Sequence, residues 1–175
     1  VKKYAVENNL HLLQPVKLKD EVFLNELKAL NADVQIVVAF RMLPVVVWDM
    51  PPMGTINLHG SLLPQYRGAA PINWAVINGE KETGATTFFL KHEIDTGSII
   101  LQAKETILDA DDVGSLYERL MHKGAQLVLK TVEAIASGSY PSVPQPASAD
   151  IKHAPKIFKE TCEINWHQSA AQIRN

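Results

Sequence analysis

The sequence predicts an α/β domain in which helices flank a mainly parallel sheet. Helical and strand-like segments alternate along most of the chain, as βαβ units do. The run from Val34 to Phe40 is mostly apolar and β-branched, which is typical of a strand covered on both faces. A second strand, Thr55 to Leu58, leads into a loop of Gly, Ser and Pro, and open α/β sheets bind their ligands at such loops.

The first third of the chain predicts three helices around the first strand. Residues Val1 to Val6 form an amphipathic pattern, and Asp20 is placed to cap a helix whose apolar positions recur up to Leu30. A short helix from Val45 to Trp48 leads to the turn-forming residues 51–54 and the central strand.

The rest of the chain continues the alternation. Pro71 stands at a first-turn position and predicts a helix start. Asp111 or Asp112 is placed to cap a long helix, and Gly138 ends it. The predicted elements are a helix to Ile77, a turn at Asn78–Gly79, strands over Gly84–Leu90 and Ser98–Gln102 with a polar loop between them, and a helix over Val113–Ser137.

Composition narrows the class of protein. The 175 residues are 46% hydrophobic and 21% charged, as in a soluble globular domain, and the net charge of −2 gives no general reason to expect nucleic-acid binding by the chain alone. The single cysteine, Cys162, excludes an intrachain disulfide and a multi-cysteine metal site. Since the histidines also lack metal-ligand spacing, and no apolar run reaches membrane-span length, we predict a cytoplasmic protein with no metal and no membrane partner.

The central strand carries a polar pair. Asn57 and His59 are two residues apart, so both side chains leave the same face of a strand. An amide and a protonated imidazole are both able to donate to one developing oxyanion. For an isolated pair, a strand-end asparagine and a half-buried histidine are the better interpretation. The neighbouring residues decide between the two.

Asp95 lies in a loop between two predicted strands. A carboxylate there is placed to reach the imidazole of His59 and to favour its charged form. By itself, Asp95-Thr96-Gly97 is an ordinary turn, because Asp and Gly are common turn residues.

The combined motifs resemble the formyltransferases that use 10-formyltetrahydrofolate. The motifs are Asn57-x-His59, Ser61-Leu62-Leu63-Pro64, Tyr66-Arg67-Gly68 and Asp95-Thr96-Gly97. Within that family, the segment from Arg67 to Ile72 is most similar to the branch that acts on methionyl-tRNA. Ala154-Pro155-Lys156-Ile157 and Ile164-Asn165-Trp166 are similar to the segment that enters that branch's C-terminal domain.

The resemblance implies a Rossmann-like sheet and assigns roles to residues. It implies that Asn57, His59 and Asp95 are the catalytic trio. It implies that Ser61, Leu62, Leu63 and Pro64 form part of the site for 10-formyltetrahydrofolate, the formyl donor, and that residues 88–94 flank the pterin. The implied acceptor is methionyl-initiator tRNA, bound by the full-length protein during translation initiation, and we expect a monomer.

Three alternatives remain open. A sugar-nucleotide N-formyltransferase shares the trio and the Ser-Leu-Leu-Pro motif, and a formyltetrahydrofolate hydrolase uses water in place of an amine. A non-catalytic folate-binding module belongs to another class. The residues Ala69-Ala70-Pro71 and the later Ala-Pro-Lys-Ile segment favour the tRNA branch.

The domain plan follows from a change in composition after Gly138. Four prolines in a Ser- and Ala-rich stretch read as a linker. We predict a catalytic domain over 1–139, lacking its N-terminal part, a linker over 140–160, and the start of a C-terminal domain over 161–175. The chain opens without Met and within helical patterning, and it stops within another helical pattern, so we expect an internal fragment. Arg41 stands where the family usually has Gly, which makes the backbone that follows less predictable.

Overall fold

A computed structural model describes residues 1–39, 42–146 and 150–175. They divide into two units, one formed by Val1–Gln35 and Phe40–Thr55 and the other by Ile36–Ala39 and Ile56–Asn175. The effect expected at Arg41 lies outside the described residues.

The first unit holds three helices, α1 (Lys2–Glu7), α2 (Glu21–Ala29) and α3 (Val45–Trp48). All three were predicted. The carboxylate of Asp20 accepts a hydrogen bond from the backbone N–H of Phe23 at 3.2 Å, so Asp20 is the predicted N-cap. At the end of the unit, the hydroxyl of Thr55 donates to the carbonyl oxygen of Trp48 at 2.5 Å, which ties α3 to the start of the central strand.

Four strands form the main sheet, in the spatial order β1-β2-β4-β5. Their ranges are β1 (Gln35–Val38), β2 (Thr55–His59), β4 (Glu82–Phe89) and β5 (Ile99–Thr106). The α/β class with flanking helices is confirmed. However, β2 pairs with β4 and β4 with β5 in antiparallel fashion, so the expectation of a mainly parallel sheet is wrong for these pairs. The alternation of helix and strand predicts the class, but strand direction depends on how each connection returns.

Strand β1 lies at one edge of the sheet. The side chains of Ile36 and Val38 are 41% and 57% exposed, so the expectation that this strand is covered on both faces is wrong within this chain. An apolar run indicates what a strand is able to bury, and it carries no information about what covers it.

Two helices accompany the sheet in the second unit, α4 (Pro71–Ile77) and α5 (Val113–Ala136). Pro71 occupies the first turn of α4, as predicted. Of the two candidate caps for α5, Asp112 is the cap: its carboxylate accepts from the N–H of Ser115 at 2.8 Å, and the Ser115 hydroxyl oxygen accepts from the N–H of Asp112 at 3.1 Å. Asp111 instead pairs with Arg119 at 2.6 Å, and this hydrogen bond holds the pKa of the Asp111 carboxyl well below its usual range.

The core of the second unit lies where α4 and α5 face the loop that follows β2. Leu116 is fully buried and Leu120 is 5% exposed, and burying such a side chain contributes about 1.5–3 kcal/mol. The buried cluster consists of Tyr66, Ala75, Val76, Ile107, Leu116, Leu120 and Ala154. Ala154 comes from the segment predicted as a linker, so that segment contributes directly to this core.

The segment after α5 pairs with the rest of the unit at two places. Val143 and Ile99 exchange backbone hydrogen bonds of 2.8 and 2.9 Å. Further on, β6 (His153–Ala154) pairs in parallel with β3 (Arg67–Gly68). Strands of two residues are too short for any periodicity, so the sequence did not predict this second sheet. A 3₁₀ turn (Lys159–Cys162) and helix α6 (Ala170–Arg174) complete the chain. No helix in the described part has the length and apolar character that crossing a membrane requires.

Candidate active site

His59 ends the central strand and points one ring nitrogen at the loop that follows. Its Nε2 lies 2.8 Å from the backbone carbonyl oxygen of Tyr66. A carbonyl oxygen only accepts, so Nε2 carries the proton and donates. The residue is 5% exposed, and Phe88 meets the ring edge-on, with ring centroids 6.5 Å apart. The imidazole is therefore held in one orientation with Nδ1 on its other side.

Asp95 lies on that Nδ1 side. Its Oδ2 is 3.8 Å from Nδ1 of His59, and the two side chains are 9% and 6% exposed. This separation exceeds a hydrogen bond but gives strong electrostatic contact in a buried place. The same oxygen accepts a hydrogen bond from the backbone N–H of Gly68 at 2.9 Å. The structure thus brings together the two titratable residues that the motifs indicated.

The two ring nitrogens of His59 face different groups. Nε2 donates to the Tyr66 carbonyl oxygen, and Nδ1 faces the Asp95 carboxylate at 3.8 Å. Asp95 is therefore placed to orient the ring from its Nδ1 side.

Asn57 precedes His59 by two residues on β2 and is 4% exposed. Its Oδ1 is buried and has no hydrogen-bond partner among the described residues. Buried polar atoms without a partner are uncommon, and each is expected to have a specific cause. A half-turn of the amide exchanges oxygen and nitrogen, so this position offers either an acceptor or a donor to a bound molecule.

Tyr66 holds the loop that receives His59, and the sequence did not indicate this role. Its φ of +60° is in the left-handed region, which non-glycine residues rarely adopt. Its hydroxyl donates to Glu80 at 2.5 Å and accepts from Asn78 at 3.0 Å, while its N–H donates to the carbonyl of Lys152 at 2.6 Å. Burial and the bond to Glu80 raise the pKa of the Tyr66 phenol. In the sequence, a tyrosine between Gln65 and Arg67 resembles any half-buried tyrosine, so only the backbone geometry reveals its role.

The loop 61–64, expected to bind folate, is held by hydrogen bonds to neighbouring residues. Ser61 is fully buried, and its hydroxyl donates to the carbonyl of Gln65 at 2.6 Å. Leu63 is 4% exposed; its N–H donates to the Thr86 hydroxyl at 3.1 Å, and its carbonyl accepts from the Gln102 amide at 2.9 Å. The side chains of Ser61 and Leu63 thus shape the loop, whereas those of Leu62 and Pro64 are partly exposed.

The segment expected to flank the pterin changes character along its length. Phe88 is fully buried against His59, whereas Ile94 is 62% exposed.

Gln145 is a second residue that sequence reasoning missed: its amide contacts both Arg67 and the Asp95 turn. Its one signal is a polar side chain between two prolines, which by itself is weak.

Other reactive residues lie away from this arrangement. Cys162 is exposed and free. Within residues 1–39, 42–146 and 150–175, no group of three or more His, Cys, Asp or Glu residues is placed to hold a metal ion.

Comparison with known proteins places the chain in a family. The family model described as formyl transferase matches residues 1–132. The chain is also similar to a solved formyltransferase, PseJ from Anoxybacillus kamchatkensis, at 26% identity and a TM-score of 0.68, with 87% of this chain and 81% of that chain covered. That structure contains UDP-4,6-dideoxy-4-formamido-L-AltNAc and tetrahydrofolate. Residues 1–175 belong to the formyl transferase family, so the family assignment drawn from the motifs is confirmed.

Two curated relatives give a finer similarity. The chain is 60% identical over 176 residues to a methionyl-tRNA formyltransferase of Bacteroides fragilis. The alignment covers 99% of this chain and 54% of the relative. The chain is 57% identical over 175 residues to a methionyl-tRNA formyltransferase of Flavobacterium johnsoniae. That alignment covers 100% of this chain and 56% of the relative. The chain therefore spans about half the length of the curated relatives it matches.

Proposed function

We propose that the protein transfers the formyl group of 10-formyltetrahydrofolate to the amino group of methionyl-initiator tRNA in the cytoplasm. The observation on which this proposal rests is the buried arrangement on β2. There Asn57, whose Oδ1 has no hydrogen-bond partner among the described residues, accompanies a His59 ring held between Tyr66 and Asp95. The sequence identity of 57–60% to relatives named methionyl-tRNA formyltransferase supports the choice of acceptor.

The residues present fit a formyl donor. Asn57 Oδ1 is buried without a hydrogen-bond partner among the described residues, and a buried polar atom of this kind is expected to have a specific cause, such as a bound polar molecule. The donor supplies an acyl carbon activated by its folate nitrogen. Asn57 and, through Nδ1, His59 would donate to the formyl oxygen as negative charge develops on it, and each such donor contributes roughly 10²–10³ in rate. Leu62 and Pro64 offer the partly exposed surface of the adjoining loop.

The formyl donor and the methionyl amine are the two reactants that the transfer requires. The methionyl amine forms a C–N bond with the formyl carbon, the bond from that carbon to the folate nitrogen breaks, and the amine proton ends on that nitrogen. Asp95 contributes by holding His59 charged and oriented, and by helping to move this proton through water. Tyr66 contributes through its carbonyl, which fixes Nε2 as a donor.

A sugar-nucleotide amine is the second candidate acceptor, since the PseJ structure contains a formamido-sugar nucleotide. The deciding experiment uses the complete gene product that contains this chain. Labelled 10-formyltetrahydrofolate is offered with methionyl-initiator tRNA, with a 4-amino-4,6-dideoxy sugar nucleotide, or with water alone. We expect label on the tRNA. Label on the sugar selects the second candidate, release as formate indicates a hydrolase, and donor binding without any transfer indicates a binding module.

A further inference from the structure

Gln145 lies in the segment after α5 and uses its whole side-chain amide. The oxygen accepts from Nε of Arg67 at 3.0 Å and from Nη2 at 2.6 Å. The nitrogen donates to the backbone carbonyl oxygens of Asp95 and Gly97, both at 2.8 Å. One amide therefore joins two segments that are distant along the chain, one at Arg67 and the other at Asp95 to Gly97.

Both of these segments contact the imidazole of His59. Arg67 directly follows Tyr66, whose carbonyl takes the proton of Nε2. The other segment carries Asp95, whose carboxylate faces Nδ1. Gln145 thus connects the side chain of Arg67, next to Tyr66, to the backbone of the Asp95 turn.

The Asp95 turn depends on such support. Asp95 has a φ of +54°, in the left-handed region that costs an L-residue energy unless its surroundings hold it there. The two hydrogen bonds from Gln145 fix the carbonyls of Asp95 and Gly97. The Asp95 carboxylate itself accepts a hydrogen bond from the N–H of Gly68.

Gln145 is not needed merely to attach its own segment. That segment is already held by the exchanged bonds between Val143 and Ile99, by the pairing of β6 with β3, and by the ion pair between Lys152 and Glu80. A role limited to attachment would add little to these contacts, whereas the two hydrogen bonds from Gln145 act on the backbone of the Asp95 turn itself.

We infer that Gln145 is a positioning residue that sets the distance between the Asp95 carboxylate and the His59 ring. This inference rests on the proposed function, because the geometry matters to catalysis only if the trio performs formyl transfer. It adds a residue from the predicted linker to the support of that trio.

The test is Gln145→Glu in the complete gene product. The substitution keeps the acceptor for Arg67 but removes the N–H donors and places a carboxylate against two carbonyl oxygens. We expect kcat to fall roughly 10- to 100-fold, as a misplacement of about 1 Å allows, while KM for the formyl donor changes less than about threefold. The NMR signals of the His59 ring should also move.

Trp74→Phe is the matched control. It removes the hydrogen bond that the Trp74 indole N–H donates to the Pro155 carbonyl, which also attaches the segment after α5, and it leaves the hydrogen bonds of Asp95 in place. We expect it to lower the melting temperature and to leave kcat and the His59 ring signals close to wild type. If Gln145→Glu behaves like this control, changing only thermal stability, the inference is wrong.

Gln145→Met covers the case in which the charged variant does not fold, since it removes both hydrogen-bonding atoms without adding charge. The NMR signals of the His59 ring distinguish a failure of the proposed function from a failure of the positioning role of Gln145. If wild type transfers no formyl group but the ring signals still respond to Gln145→Met, the proposed function fails and the positioning role stands. If wild type is active and the ring signals do not respond, the positioning role fails alone.

Discussion

The Nε2 atom of His59 lies 2.8 Å from the carbonyl oxygen of Tyr66, and this contact determines the tautomer of the ring. A neutral His59 must carry its proton on Nε2, because a carbonyl oxygen has no proton to give. Nitrogen-15 NMR of the ring should show Nε2 protonated throughout the range where the protein is folded. A neutral ring protonated only at Nδ1 would contradict this geometry.

Asn57 should show opposite effects on stability and on activity. Its Oδ1 has no hydrogen-bond partner among the described residues, so Asn57→Leu, of similar size, should change the free energy of unfolding by less than about 1 kcal/mol or increase it. The same variant should lower kcat roughly 10²- to 10³-fold. Urea denaturation and steady-state kinetics measure the two quantities. Near-normal turnover would remove Asn57 from the catalytic trio.

Gly68 should tolerate no side chain. Its φ is +127°, and a Cβ atom there would lie 2.4 Å from the carbonyl oxygen of Ala154. Gly68→Ala should therefore separate β3 from β6 and cost about 2–4 kcal/mol. Gly138→Ala is the control, since its φ is +69° and nothing lies within 4 Å of a Cβ; the strain alone should cost about 1 kcal/mol. Equal losses in both variants would show that the contact with Ala154 is not tight.

The cluster of Tyr66, Glu80 and Lys152 should give stability a defined pH dependence. Burial raises the pKa of Glu80, but hydrogen bonds from Lys152 and Tyr66 outweigh it and bring the pKa below the usual 4.5. A lowered carboxyl pKa contributes stability that is present above about pH 4.5 and is lost as the pH falls through the folded-state value. The Tyr66 and Lys152 pKa values are raised, by burial and by the hydrogen bond to Glu80 respectively. Their contribution is present below about pH 10 and is lost as the pH rises further.

Glu80→Gln tests this cluster. The variant keeps an acceptor for the Tyr66 hydroxyl but loses the charge that faces Lys152. Its melting temperature should fall below that of wild type at pH 7, and the difference should shrink below pH 4. A difference that stays constant from pH 3 to pH 7 would mean that the charge of Glu80 does not contribute.

Much of the fold was predictable because its signals are local. The caps at Asp20 and Asp112 and the helix start at Pro71 each depend on a few adjacent residues, and all three are found. The predictions of strand direction and of the burial of β1 were wrong, because both properties depend on what lies beside or against each strand. Pairing of two-residue strands leaves no pattern in the sequence.

The site divides in the same way. Motif residues predicted that Asp95 reaches His59, and the structure places them 3.8 Å apart. The catalytic and folate-binding roles of the trio and of residues 61–64 stay predictions, as do the domain limits and the monomeric state. Tyr66 acts through its backbone and Gln145 through contacts with distant segments. Neither kind of contact is encoded in spacing, so single-sequence reasoning did not find them.

The most direct test of the central claim is the rate of formyl transfer to methionyl-initiator tRNA by Asp95→Asn in the complete gene product. This change keeps the size and part of the hydrogen bonding of Asp95 but removes the charge beside Nδ1 of His59. We expect kcat to fall strongly while binding of the formyl donor, measured by calorimetry, is retained. With His59→Asn, the combined loss should be smaller than the product of the single losses, because the two residues act as one unit. Turnover close to wild type in Asp95→Asn would contradict the account.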